Sequence, residues 1–208
     1  MANNVRNCIR FIGNKNVEAC MREIVKRLRE ESDPEDRYGT GQIGRVLYGL
    51  SGNAAYLSYD AIGGKWIYFE YEDDEKLTVI TGWDPARVFQ EYLLEKLVLI
   101  DPKVIIAMEY DDEMPNFIGV RYALMKNGVI RTYEREIDTR HMEMCGYGEV
   151  EETKARVEEE GEEKEVMTWE DVWGKQADLL FDAYKELKRE NPSAYKDPEL
   201  RWHEESGR

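Results

Sequence analysis

Polar and apolar residues alternate through "VRNCIRFI", placing Val5, Asn7, Ile9 and Phe11 on one side and Arg6, Cys8 and Arg10 on the other. This is the period of a half-buried strand. The period changes from about Asn16, where Val17, Cys20, Met21, Ile24 and Leu28 fall at helical spacing and Arg22, Lys26 and Arg29 oppose them. Pro34, within "ESDPED", ends that helix because it lacks a donor and restricts the residue before it. "KWIYFEY" and "KLTVITGW" are strand-like runs on either side of the acidic turn "EDDE", which predicts a hairpin. Asp84-Pro85 predicts a helix start, with Asp84 as the cap and Pro85 in the first helical position. Val88, Phe89, Tyr92, Leu93, Leu97 and Ile100 carry this helix on to Asp101-Pro102. "KVIIAMEY" reads as a buried strand, and "FIGVRYALMKNGVIRTYEREI" as a hairpin turning at Asn127-Gly128.

The order is β-α-β-β-α-β followed by β-β. Two β-α-β units folded into one antiparallel sheet predict an α+β, ferredoxin-like split β-α-β sandwich, with both helices on one face and an added hairpin. In the predicted sheet order 4-1-3-2, strands 2 and 4 are expected to run parallel at opposite edges. The domain is placed at residues 1–140 with a glycine-rich insertion at about 33–64. Residues 141–208 form an acidic extension and a helix docked on the same domain. "GEVEETKARVEEEGEEKEV" has nine glutamates against three basic residues and reads as a solvated hairpin or mobile linker. In "TWEDVWGKQADLLFDAYKELKREN", Thr168 and Asp171 approximate a capping box, and Trp169, Val172, Trp173, Leu180, Tyr184 and Leu187 form an apolar stripe. The tail from Pro192 reads as loosely ordered.

"GTGQIG" matches the glycine spacing of a dinucleotide loop, yet Gly39, Gly41 and Gly44 follow a helix and an acidic turn. The fingerprint requires a strand entering the turn and an acidic residue about 20 positions on, after a second strand. Neither is present, and seven glycines between Tyr38 and Gly64 make such a match easy. A flexible insertion is the expectation.

Charge narrows the function further. The formal net charge is -15 over 208 residues, with a pI near 4.7. Residues 1–60 hold 9 basic and 8 acidic residues, so the excess lies beyond them, with 20 basic against 36 acidic. That field repels phosphate backbones and anionic lipid, and it suits a basic protein partner. Cys8, Cys20 and Cys145 are odd in number and widely spaced, which disfavours a disulfide framework and points to a reducing cytoplasm. They also exclude an iron–sulfur motif. No signal-peptide or membrane-span run stands out. No cofactor is expected.

Candidate chemistry is sparse. His141 and His203 are the only histidines. "HMEMC" offers His141, Met144 and Cys145 to a soft metal, but the P-C-x-x-C of zinc deaminases does not follow, and no metal is assigned. No nucleophile elbow occurs, so no catalytic residues are named and a non-enzyme is expected. "EYEDDE" and "EYDDE" both end strands. With strands 2 and 4 parallel, Glu70, Asp73, Asp74 and Glu75 would share one end of the sheet with Asp111, Asp112 and Glu113, about 14 Å away. Together with Glu158, Glu159 and Glu160 they would form a distributed acidic surface for a partner. The second sheet face offers an alternative site: Arg6 and Arg10 beside Trp66 and Tyr68, the arrangement by which RNA-recognition domains stack bases. Glu70 on that face, the missing glycine-rich octapeptide and the negative field favour a different use, in which the extension or the last helix covers the face and pairs with Arg6 and Arg10.

"MANNVRNCIRFIG", "GWDP" and "VIIAMEYDDEMPNFIGVRYALMKNG" together resemble a phage and plasmid family, the YubB-like proteins with a ferredoxin-like domain. Asn3, Asn7 and Gly13 match its start, Trp83 and Pro85 its helix entry, and Tyr110, Phe117 and Gly119 its late strand. The acidic loop departs from the pattern, which has a glycine near Met114. The resemblance implies a mobile-element origin and the same fold, and supplies no catalytic residues. The expectation is a phage or plasmid accessory protein in the host cytoplasm. It would bind a basic host or defence protein as an inhibitor or nucleic-acid mimic, with edge strands open to homodimer formation and direct nucleic-acid binding disfavoured.

Overall fold

The computed structural model describes residues 3–31, 40–49, 59–70, 76–114, 116–161 and 163–200. The architecture is mixed α and β, and its strand pairing is mostly antiparallel. β1 (Asn4–Ile12), β2 (Ile67–Glu70), β3 (Leu77–Gly82), β4 (Ile105–Asp112), β5 (Phe117–Lys126) and β6 (Val129–Asp138) form one sheet in the order β2-β3-β1-β4-β5-β6. The first four strands thus take the order expected from the sequence, and the β5–β6 hairpin continues the sheet beyond β4. Asn127 and Gly128 have φ of 53° and 74°, the left-handed pair that a two-residue hairpin turn needs.

Strand direction differs from the expectation. β2 is antiparallel to β3, β3 to β1 and β1 to β4, so β2 and β4 run in opposite senses. One row across the sheet joins Ile67, Thr81, Val5 and Asp112, and another joins Glu70, Thr78, Cys8 and Glu109. The hairpin between β2 and β3 reverses the second β-α-β unit relative to the first. Glu70 and Glu113 therefore lie toward opposite ends of the sheet, and the shared acidic rim does not form. Asp73, Asp74, Glu75 and His203 lie outside the described residues.

α1 (Lys15–Glu30) starts on Asn14, whose side chain accepts from the backbone N–H groups of Asn16 and Val17. Among its described residues the glycine-rich segment then holds two helices, α2 (Thr40–Tyr48) and α3 (Tyr59–Ile62). Gly41 and Gly44 are within α2, and Ile43 and Val46 of the same helix enter the core. Gly41 and Gly44 are therefore helical and make no phosphate loop, while Gly39 lies outside the described residues. α4 (Arg87–Leu97) packs with α1 on one sheet face, where Val17, Met21, Val25, Leu28, Phe89, Leu93 and Leu97 meet Val5, Ile9, Leu77, Val79 and Ile106. The cap of α4 is Ala86, and no side chain caps it. Buried Asn7 on the central strand takes over part of that role: its Oδ1 accepts from Ala86 N at 2.8 Å, while its Nδ2 reaches Thr81 Oγ1 at 2.9 Å. Tyr110, on the same face, is fully buried against Gly119, with its hydroxyl 2.7 Å from Glu134 and 3.0 Å from Glu136.

The acidic extension is folded, in contrast to the hairpin or linker expected. β7 (Met142–Cys145) and β8 (Glu165–Thr168) form a parallel pair bridged by α5 (Val150–Glu160). Thr153 and Val157 bury the inner side of α5, and Gly161 ends it with φ of 69°. α6 (Trp169–Glu190) opens with the Thr168–Asp171 capping box and lays Leu180, Ala183, Tyr184 and Leu187 on Ala107, Val120, Tyr122 and Tyr133 of the second sheet face. The segment after it is anchored as well. Asp197 and Leu200 are buried, so the described part of the tail is docked. Among the described residues, no helix is long and apolar enough to cross a membrane.

Candidate functional site

Register places Tyr68, Ile80, Arg6 and Asp111 in one row of the second face, and Glu70, Thr78, Cys8 and Glu109 in the next. Arg10, two positions further on, is sealed by the tail. Its guanidinium lies 2.6 Å from Asp197 and 3.1 Å from Glu109, with side-chain exposures of 7% for Arg10 and 0% for Asp197. The Tyr122 hydroxyl donates to the other Asp197 oxygen at 2.6 Å. Burial by itself disfavours the Arg10 charge, but the Asp197 and Glu109 carboxylates outweigh it and hold the pKa above its ordinary value. Arg10 joins tail to sheet, and its charge is committed to Asp197 and Glu109.

α6 and the tail pack on the β4-to-β6 side of this face. Between the β2-β3-β1 half and α6 lies a polar cleft of two adjoining cavities, of about 300 and 270 Å³. Arg6, Cys8, Lys76, Glu109 and Asp111 line its sheet side, and Trp173 and Gln176 line its helix side. Burial raises the Asp111 carboxyl, Arg6 counters it, and the nearby Asp112, Glu109 and Glu70 charges raise it further. Burial also pushes the Cys8 thiol up, with help from Glu109. Lys76 is 3.5 Å from Glu199, and Arg6 has a partner of its own.

Of the residues proposed for base stacking, Arg6, Trp66 and Tyr68 share this face while Arg10 is committed to its carboxylate partners. Trp66 packs across Gly82, where a Cβ would lie 2.8 Å from the ring, and donates to Asn4 Oδ1 at 3.2 Å. Glu70, Glu109 and Asp111 share the face with them and would repel a phosphate. The acidic candidates separate in the same way. Asp112 is buried and accepts from Asn3, Asn116 and the Met114 N–H, bracing the β4–β5 turn. Asp111 lies inside the cleft. Glu113 is exposed, as are Glu158, Glu159 and Glu160 at the end of α5. His141 is exposed, Met144 packs beside the Ile118–Met142 cluster, and the buried Cys145 thiol points at the Met167 carbonyl 3.6 Å away. Among the described residues, no group of three or more metal-ligating side chains converges.

Two features are absent from the sequence reading. Asp197 is the buried partner of Arg10, across 187 positions. Trp169 and Trp173, assigned to the buried stripe, are instead 41% and 59% exposed, with ring centroids 6.5 Å apart. Val172 is the residue at this end of α6 that packs inward, against Met142, Met167 and Ile118, and this turns both indoles outward. No family model matches the chain, and neither does any curated protein or solved structure.

Proposed function

We propose that the protein is a non-catalytic accessory protein, on a ferredoxin-like scaffold and of mobile-element type, that binds a partner protein with a basic surface. The binding surface is the β7-α5-β8 module together with the head of α6. The exposed Trp169–Trp173 pair at the head of α6, which follows directly on β8 of the module that holds acidic α5, carries this reading. Large apolar rings left in water are the side chains that most often anchor protein interfaces. α5 presents five glutamates against two basic residues, and Glu152, Glu158 and Glu159 form no ion pair among the described residues. Exposed indoles suit lysine and arginine through stacking, and exposed carboxylates suit them through charge. The Glu70-to-Glu113 rim has no part in it.

The test is affinity capture of host proteins at about 0.1 M and about 1 M salt, between which the Debye length falls from about 10 to about 3 Å. Wild-type protein is compared with Trp169→Ala/Trp173→Ala and with Glu152→Lys/Glu158→Lys/Glu159→Lys. A discrete basic protein held at low salt, released at high salt and lost in both variants supports the reading. Capture that neither variant alters sinks it.

A further inference from the structure

Resting on that reading, we propose that the cleft between the uncovered half of the sheet and α6 receives a guanidinium group, the side chain of an arginine in the partner protein, held between Trp173 and Asp111. The unused hydrogen-bonding capacity on the two walls is of one kind. Asp111 accepts no hydrogen bond and makes no ion pair within 4 Å among the described residues, although it is half-buried. Gln176 spends its Nε2 on the backbone carbonyls of Tyr110 and Gly119, at 3.2 and 3.3 Å, and its Oε1 takes part in no hydrogen bond among the described residues. The cleft's cations are already occupied: Lys76 faces Glu199 and Arg6 has a partner. What remains is acceptors and an indole face.

That set favours a guanidinium over an ammonium. A planar fork can donate to a carboxylate and an amide oxygen at once while lying on an indole, whereas an ammonium is a point charge with stronger hydration. A chelated metal ion fits poorly, because no three ligating side chains converge among the described residues. A polypeptide is favoured over a free metabolite by the shape of the surface. The cleft adjoins a third cavity of about 280 Å³, lined by Arg10, Phe11, Glu18, Met21 and Arg22, and Lys76 and Glu199 border both. Concave surface thus continues past the arginine site, where neighbouring residues of a polypeptide would rest. The Lys76–Glu199 pair between them is partly exposed, so it is weak and readily exchanged.

Calorimetric titration of the full chain with Gly-Arg-Gly, Gly-Lys-Gly, Gly-citrulline-Gly and free arginine tests this. The arginine peptide is expected to bind at least about tenfold more tightly than the citrulline peptide, which keeps the shape without the charge. The lysine peptide is expected to fall between them. Asp111→Asn should cost about tenfold or more, and Trp173→Ala about two- to fivefold. Circular dichroism of each variant confirms that it is folded. Equal affinity for all three peptides, or an unchanged constant in Asp111→Asn, overturns the assignment. Free arginine binding as tightly as the peptide overturns the polypeptide part of it. Glu152→Lys/Glu158→Lys/Glu159→Lys should leave the peptide constants within about twofold, since that variant leaves both cleft walls intact. If the peptides bind as expected while lysate capture is altered neither by this variant nor by Trp169→Ala/Trp173→Ala, the cleft assignment stands and the broader reading fails alone.

Discussion

Asp197→Ala is the sharpest test of how the second face is closed. In the native chain one carboxylate receives the Arg10 guanidinium at 2.6 Å, the Tyr122 hydroxyl at 2.6 Å and the Glu199 N–H at 3.0 Å. Removing it leaves a buried cation with Glu109 alone and a buried hydroxyl with no acceptor from the tail. Breaking a buried ion pair from one side costs about 3–5 kcal/mol. For a chain of this length each kcal/mol is worth roughly 2–4 °C, so the melting temperature should fall by roughly 6–20 °C. The measurement is thermal unfolding followed by circular dichroism, with urea unfolding as a second estimate. The double variant Arg10→Met/Asp197→Leu removes the stranded charge and should recover most of the loss, because well-packed apolar replacements of buried pairs are often neutral. A fall of less than about 2 °C in Asp197→Ala, or a double variant no better than the single one, would refute the account.

Three further outcomes follow from the same geometry. Gly119→Ala drives a methyl into the Tyr110 ring and hydroxyl, so it should cost about 1–3 kcal/mol by overpacking in urea titrations. Asn7→Ala strands the Ala86 N–H and removes the amide donor to the Thr81 hydroxyl, which keeps its own bond to the Asp84 carbonyl, with an expected loss of about 1–3 kcal/mol and early hydrogen exchange at the start of α4. Asp111→Asn should raise the melting temperature at pH 7. The carboxyl's folded pKa is raised above its ordinary value of 3.8 by burial, with Arg6 opposing and Asp112, Glu109 and Glu70 adding. Its charge therefore opposes folding above the folded pKa, and this opposition fades as pH falls toward the ordinary value. The gain should accordingly shrink toward zero by about pH 4, and a gain constant with pH would contradict it.

Some of this was legible in the residues. The central strand, α1 and the Asn127-Gly128 turn announced themselves, because one buried side per element leaves a strict period and a left-handed turn admits few residues. α5 did not, since only Thr153 and Val157 are buried on it and two contacts leave no stripe. The glycine count hid α2, whose Ile43 and Val46 spacing was the signal available. Trp169 and Trp173 have helical spacing identical to that of buried residues, and their exposure depends on what Val172 finds to pack against. The polarity of β2 against β4 follows from connectivity alone. Asp197 carries no local pattern at all, because its meaning comes from a strand 187 positions earlier.

That separation has a consequence for how the molecule is made. At roughly 5–20 residues per second, a ribosome takes roughly 10–40 s to travel the 187 positions from Arg10 to Asp197. For the first part of that interval the middle strand holds a cation with neither carboxylate partner yet made, and for the rest it has Glu109 alone, so the contact that seals the second side waits for the tail. Chains that stop short of Asp197 should leave this side of the sheet open to proteases, and chains that run through it should be more resistant.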